Sequence, residues 1–442
     1  MDLLPKPGKP LKILTIDGGG LQAISNLLIL DKLLDTIASN NQTKVKPRPC
    51  DIFDTIAGIG AGGWLALLLG RFHLDIPACL TEWYNLIECI TPRSKVEEMR
   101  MRVLHHCYVD MDSLTQQIDR LTEVYGTTKR MFYNESGETT GRPRCKHVFV
   151  AALNHGGPKL DYKLFRTYDY PKGAKVREGP ENASTYEISR AFAVTGAAKY
   201  FTNPWRENMA SSGLMKFMDN KFPKPHNITE LALDEMWGLY GTKVEISVIV
   251  NVGPGIPNGS DVKQIASRFS WGLVRSTAKP AECPKRDRAS ALEEASQPTE
   301  EAVSSTHAKV TLKPKTSPHA HFAEDLGEPR ATHKSPGEAE RKCAMARTNT
   351  FGSIMDRGID KKLKRLETEI EADIQKKLEN VYPDNTPPYY RLAPDKSPAG
   401  TAQNDASAPG VAFNATLKFL KSPRVGATME EIRERIPWES RM

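Results

Sequence analysis

The chain of 442 residues contains no C-x-x-C pair. Its seven cysteines, Cys50, Cys79, Cys89, Cys107, Cys145, Cys283 and Cys343, are odd in number and irregularly spaced. That argues against a disulfide framework and for reduced thiols in a cytosolic setting. No apolar run approaches the ~18 residues of a membrane-spanning helix. The N-terminus, MDLLPKPGKPLKILTI, has prolines where a signal peptide needs an apolar helix. A cytoplasmic location is expected, with peripheral membrane contact left open. Concentrated basic patches are scarce as well. The formal net charge of +7 is dispersed along the chain, so no nucleic-acid partner is expected. The excess fits loose attraction to an anionic membrane surface, although ordinary solubility explains it more simply. Aromatic residues almost vanish from Ser276 to Met345, where Phe322 stands alone among Pro, Ser, Ala, Glu and Lys. Such a stretch cannot bury enough apolar surface to offset its chain entropy, and disorder is expected there.

What is present begins with a strand, a Gly-rich loop and a helix. Leu11 to Ile16 is an apolar, β-rich run that ends at Asp17-Gly18-Gly19-Gly20. Leu21 to Ile37 then places Leu21, Ile24, Leu27, Leu28, Leu30, Leu33, Leu34 and Ile37 on one broad helical face. A loop of this kind aims several backbone N–H groups at one spot near the positive end of a helix. Phosphate binding and oxyanion stabilisation both use that arrangement, and a plain tight turn also requires small residues. Ala23 breaks the dinucleotide pattern G-x-G-x-x-G, and no Gly-Lys-Ser/Thr follows for a Walker loop.

The second unit, IFDTIAGIGAGGWLALLLG from Ile52 to Gly70, organises the rest. Ile52 to Ala57 reads as a buried strand that stops at Gly58, and Trp64 to Leu69 resumes as a helix. Strand, sharp turn and helix form the layout of a nucleophile elbow, in which G-x-S-x-G exposes a serine. Gly58 and Gly62 supply the frame, and Gly60 stands where the serine would be.

Further along, Pro77 to Ile90, with Trp83, Leu86, Ile87 and Ile90 as a buried stripe, and Asp110 to Val124 read as helices. His105-His106 has no suitably spaced third ligand for a metal. His147 to Leu153 and Tyr162 to Tyr168 read as strands. Ser184 with Glu187 reads as a capping box opening a helix to Ala198. A short strand, Leu214 to Met218, meets Asp219, and Asn227 caps a helix from Ile228 to Tyr240. Val244 to Val252 is a strand. A helix carries Ile359 to Val381 at helical spacing, and Tyr389 to Leu392 is a further strand. Strands alternating with helices predict an α/β fold, a mainly parallel sheet covered by helices on both faces. The expected organisation is an α/β domain over 9–275, a disordered segment over 276–345, a C-terminal helix and strand packing on the domain over 346–395, and a loose tail over 396–442.

The ordered series ILTIDGGG, FDTIAGIGAGG, VFVAALNHGG, KLFRTYDYP, ISRAFAVTGAAKYF and FMDNKFPKPHNITELALDE resembles the patatin-like phospholipase family, particularly its fungal-type members. The resemblance covers roughly Leu11 to Val252. It implies the patatin-like, FabD-lysophospholipase-like version of the α/β fold and a two-part serine acyl hydrolase. In that family an elbow serine attacks the acyl carbonyl, an aspartate acts as its base, and the Gly-rich loop holds the oxyanion. Carried onto this chain, the oxyanion hole is Gly18, Gly19 and Gly20, the base is Asp219, and the serine position is Gly60. Gln22 and Ala23 replace the usual basic residue and glycine, and Asn220 and Lys221 replace the glycines after the aspartate. Loss of the nucleophile removes on the order of 10⁶ in rate from a serine hydrolase. The expectation is a lipid- or acyl-binding or regulatory pseudoenzyme without a cofactor or metal, whose partner is a lipid or acyl ester. Alternatives are an active hydrolase using Ser25, Ser211, Ser212 or a water on Asp219, a protein-interaction scaffold, and, more distantly, a nucleotide site at DGGG. Oligomeric state is not readable.

Overall fold

The computed structural model describes residues 3–39, 45–92, 94–101, 110–125, 127–132, 145–155, 161–171, 173–180, 183–198, 202, 204–209, 213–218, 227–255, 361–395 and 408–438. The chain divides into two units, Met1–Leu273 with Phe351–Met442, and Val274–Thr350. All described residues belong to the first. The segment 276–345, Asp219, His105, His106, Ser211 and Ser212 lie outside them.

Eight strands form one sheet. They are β1 (Leu11–Ile16), β2 (Thr55–Ile59), β3 (His147–Asn154), β4 (Asp161–Arg166), β5 (Trp205–Met209), β6 (Gly213–Phe217), β7 (Ile246–Val252) and β8 (Tyr389–Leu392). The spatial order is β5-β6-β3-β2-β1-β7-β8, with β4 also on β3. The five strands of the run β3-β2-β1-β7-β8 are parallel. Strand β4 runs antiparallel to β3, and β5 and β6 form an antiparallel pair that touches β3 only at Asn154.

Side chains alternate across the sheet, as the two-residue strand period requires. Leu14, Ile16, Ile56, Val148, Val150, Val248 and Val250 face one core. Helices α1 (Ile24–Ala38), α3 (Ala61–Ala66), α4 (Ile76–Ile90), α6 (Met111–Val124) and α7 (Ile188–Gly196) cover it. Short helices α2 (Pro49–Ile52) and α5 (Lys95–Arg100) lie between them in sequence. Leu11, Ile13, Ala57, Ile59, Phe149, Ala151 and Ile249 face the other core, under α8 (Thr229–Tyr240) and a helix α9 over 361–381 that contributes Ile374 and Leu378. The mainly parallel sheet with helices on both faces is therefore the observed architecture.

Several boundaries differ from the sequence reading. Ile52 belongs to α2, not to a strand: Pro49 opens a helical turn that Arg48 and Asp51 close reciprocally, Arg48 Nε donating to Asp51 Oδ2 at 2.9 Å. Strand β2 then runs through Gly58 to Ile59, and the turn falls at Gly60. Helix α7 begins at Ile188, not at Ser184, and Glu187 makes no side-chain cap. Its backbone instead pairs with Arg130, so those residues are used in a bridge rather than a helical turn. Asp110 caps α6 as expected, accepting from the N–H groups of Asp112 and Ser113. Asn227 accepts from the Thr229 N–H at 2.9 Å at the start of α8.

The residues expected to form a loose tail, with a short charged helix past Arg424, hold two helices, α10 (Ala408–Leu420), which was not expected, and α11 (Pro423–Arg435), which was. They bury Ala412, Val425, Met429 and Ile432 in the first core. An amphipathic stripe finds its partner in α1, and that packing, not local propensity, stabilises a short helix.

Candidate functional site

The site is built where β1 and β2 end, side by side and in register, Ile16 opposite Gly58. Beyond β1 the chain enters Asp17 and the three glycines, then a 3₁₀ turn over Gly20–Ala23 that leads into α1. Beyond β2 it turns at Gly60 and enters α3. Gly60 has φ 58° and ψ −133°. This is the left-handed half of the map, which disfavours any side chain. Space is not the constraint: a Cβ at Gly60 would meet nothing nearer than the Gly18 Cα, at 3.7 Å. The corner therefore faces the glycine loop directly.

Gly62 shows the opposite constraint. A Cβ there would lie 2.4 Å from the carbonyl oxygens of both Ile16 and Asp17. The first turn of α3 is thus pressed backbone to backbone against the end of β1, and only glycine permits that approach. Gly58 is closed in the same way against the Gly62 carbonyl. Gly18, Gly19, Gly20, Gly58, Gly60 and Gly62, read from the sequence as loop and elbow, are brought together in one corner.

The corner is fixed from below by Thr195, near the end of α7. Its buried hydroxyl accepts from the Gly60 N–H at 3.1 Å and donates to the Ala151 carbonyl at 2.7 Å. Trp64 on α3 locks the same two helices, its indole N–H donating to the Phe192 carbonyl at 2.8 Å. The strand pair leading toward Asp219 reaches the same end of the sheet, for the Met218 N–H donates to the Leu153 carbonyl at 3.1 Å.

Asp17 is buried beside the loop. Its carboxylate accepts from Asn251 Nδ2 at 3.0 Å and from the Ile228 N–H at 3.4 Å, and it pairs with Arg391 Nη1 at 2.5 Å. Burial pushes the Asp17 carboxyl above the usual range, against the opposing pull of Arg391 and the two N–H donors. Burial likewise opposes the charge on Arg391, but Asp17 and Glu367 outweigh it and the guanidinium is held protonated. Asn251 also donates to Thr15 Oγ1 at 3.0 Å, which in turn meets Thr229 Oγ1 at 2.8 Å.

Of the serines weighed as other nucleophiles, Ser25 is buried inside α1, and its hydroxyl accepts from Thr416 on α10 at 2.8 Å. Ser211 and Ser212 fall outside the described residues. Gln22 and Ala23 are both buried in the 3₁₀ turn. Two cavities, of about 590 and 390 Å³, are lined by Pro10, Val244 and Tyr382 in one case and by Arg71, Cys145 and Tyr168 in the other. Both lie where the strands begin, away from the glycine corner.

Thr195, Asn251 and Arg391 escaped the sequence reading. Thr195 sits in a run of small helical residues with no distinguishing pattern, and Arg391 is 374 residues from the aspartate it meets.

No family model matches the chain. Over 175 residues it is 30% identical to calcium-independent phospholipase A2-gamma of Oryctolagus cuniculus, a match covering 39% of this chain and 20% of the relative. It is 25% identical over 262 residues to patatin-like phospholipase 1 of Plasmodium falciparum, covering 56% of this chain and 35% of the relative. The chain thus spans between a fifth and about a third of the length of these curated relatives. Among solved structures, human GIVD cytosolic phospholipase A2 in complex with methyl gamma-linolenyl fluorophosphonate and terbium chloride aligns at a TM-score of 0.27 and 14% identity, covering 63% of this chain and 45% of that one. The sequence likeness supports a patatin-like phospholipase domain in this chain.

Proposed function

We propose that this domain descends from lipid acyl hydrolases and binds a lipid or acyl ester without cleaving it. The observation that carries the reading is the Gly60 corner. Its backbone is bent as a nucleophile elbow is bent, it abuts the glycine loop, and it has no side chain to attack with. Gly18 lies beside it, and Gly19 and Gly20 lead on into the turn that opens α1, a helix start of the kind that can offer N–H groups to an oxygen. Their role is to hold the carbonyl or carboxylate oxygen of an acyl group. Asp219 is assigned the position of the family's base and has no serine to serve. The loop then holds its ligand through oxygen-directed N–H groups. What the oxyanion hole and binding supply without a nucleophile is a small residue of the full rate.

Hydrolysis of a short-chain acyl ester and of a lysophospholipid by the full chain tests this reading, with Gly60→Ser and Asp219→Ala beside the native protein. The expected result is a silent native protein and measurable turnover by Gly60→Ser. Turnover by the native protein that Asp219→Ala abolishes would refute the reading and move the search to another nucleophile.

A further inference from the structure

The residues beyond 360 complete the glycine corner. Arg391 lies on β8, the edge strand of the parallel sheet, and every nitrogen of its guanidinium is engaged. Nη1 donates to Asp17 Oδ2 at 2.5 Å and to Asn251 Oδ1. Nη2 donates to Glu367 Oε1 at 2.5 Å, and Nε lies 3.0 Å from Glu367 Oε1 and 3.2 Å from Glu371 Oε1, both on α9. Arg391 is thus the cation shared by three carboxylates, two from α9 and one from the loop.

Asp17 is held at its backbone too. Its N–H donates to the Val252 carbonyl at 2.9 Å, and its carbonyl accepts from Asn26 Nδ2 at 3.0 Å. That same carbonyl is the atom against which Gly62 is pressed. Asp17 is therefore wedged between the elbow helix on one side and Arg391 on the other, and the next three residues are the loop itself.

We infer that Arg391 is the positioning residue of the Gly18–Gly20 loop: through Asp17 it fixes the direction of the loop N–H groups toward the Gly60 corner, and α9 holds Arg391 in place through Glu367 and Glu371. The functional part of this inference rests on the oxygen-binding role given to the loop above. The geometric part does not. A buried ion cluster adds little net stability compared with apolar residues of the same shape, so stability alone is a poor reason for one. A planar fork engaged by three carboxylates is instead a specific device for fixing direction. Without Arg391, Asp17, Glu367 and Glu371 face one another with their shared cation removed, and the loop loses its fixed side.

Hydrogen exchange of the full chain tests the clamp, comparing native protein with Arg391→Gln, Arg391→Lys and Glu371→Gln. In Arg391→Gln, amides of residues 18–23 should exchange faster by about tenfold or more, with those of β3 and α4 unchanged. Arg391→Lys keeps the charge without the fork and should fall between native and Arg391→Gln. Glu371→Gln should show the same local pattern more weakly. Should Arg391→Gln fail to fold, the other two variants decide. Unchanged loop exchange, or a rise spread evenly over β3 and α4, overturns the inference. This outcome is independent of the ester assay: native turnover that Asp219→Ala abolishes would sink the proposed function and leave the clamp standing.

Discussion

Replacing Gly60 with alanine separates backbone strain from crowding at the corner. The backbone at φ 58° and ψ −133° costs a residue with a side chain about 1–3 kcal/mol. The new methyl meets nothing closer than 3.7 Å, so no clash is added. Against this, alanine restricts the unfolded chain relative to glycine and returns about 0.4–1 kcal/mol. The expected net loss is about 0–2.6 kcal/mol, a fall of up to several degrees in Tm for a domain of this size. Gly62→Ala is the companion variant. Its methyl would sit 2.4 Å from two backbone carbonyl oxygens, neither of which can rotate away. Backbone displacement there should exceed the Gly60→Ala loss, at about 3 kcal/mol or beyond. Urea and thermal unfolding of both variants beside native protein, followed by circular dichroism, give the ranking. A Gly60→Ala protein more stable than native, by the about 0.4–1 kcal/mol of an unstrained glycine-to-alanine change, would refute the left-handed corner. A Gly62→Ala protein milder than Gly60→Ala would refute the close approach of α3 to the end of β1.

Other outcomes follow from single contacts. Thr195→Val removes the acceptor of the Gly60 N–H and the donor to the Ala151 carbonyl. It should cost about 1–3 kcal/mol in urea unfolding, with Thr195→Ser close to native; a neutral Thr195→Val would show that the hydroxyl does not fix the corner. His147 is buried against Tyr168 and Tyr240, and burial, reinforced by the Lys146 charge, lowers its pKa to about 4 from an ordinary 6.5. A depressed pKa in the folded state means that the unfolded chain takes the proton first. Stability from this group is complete above about pH 6.5 and is lost as pH falls toward 4, by about 3 kcal/mol in all. His147→Phe should flatten the acid side of the stability profile by that amount. An unchanged slope would mean that His147 titrates normally. His73, also lowered to about 4, stays in both proteins, so the difference isolates His147.

The parts of this fold legible in sequence are those with strong local periodicity. Strand β1 and helices α1 and α4 announce themselves through long apolar patterns, and each buries the predicted stripe except Leu28 of α1, which is half-buried. The glycines of the corner were legible for a different reason, since close backbone approach leaves glycine as the only usable residue. Strand β5 was not legible, because WRENM alternates polar residues and draws its order from pairing with β6. Helix α10 begins Ala-Pro-Gly, a poor helix start, and exists through its packing on α1. The network of Asp17, Asn251 and Arg391 leaves no local trace, because its members meet only after the chain has folded. Arg166 and Glu235, a buried bidentate pair joining β4 to α8 at 2.6 and 2.7 Å, went unread for the same reason.

The place of β8 at the sheet edge has a consequence for synthesis. Strand β7 ends at Val252, and its parallel neighbour supplies Tyr389 opposite Ile249 and Leu392 opposite Val252. A ribosome must therefore add well over a hundred residues before that edge is covered. During this interval a nascent chain carries β7 as an open, apolar template for pairing with other chains. The glycine loop is made more than three hundred residues before the arginine that locks it. Synthesis of β8, rather than formation of the central strands, is the event that sets the corner, and a chain halted before residue 389 presents both an unpaired edge and an unlocked loop.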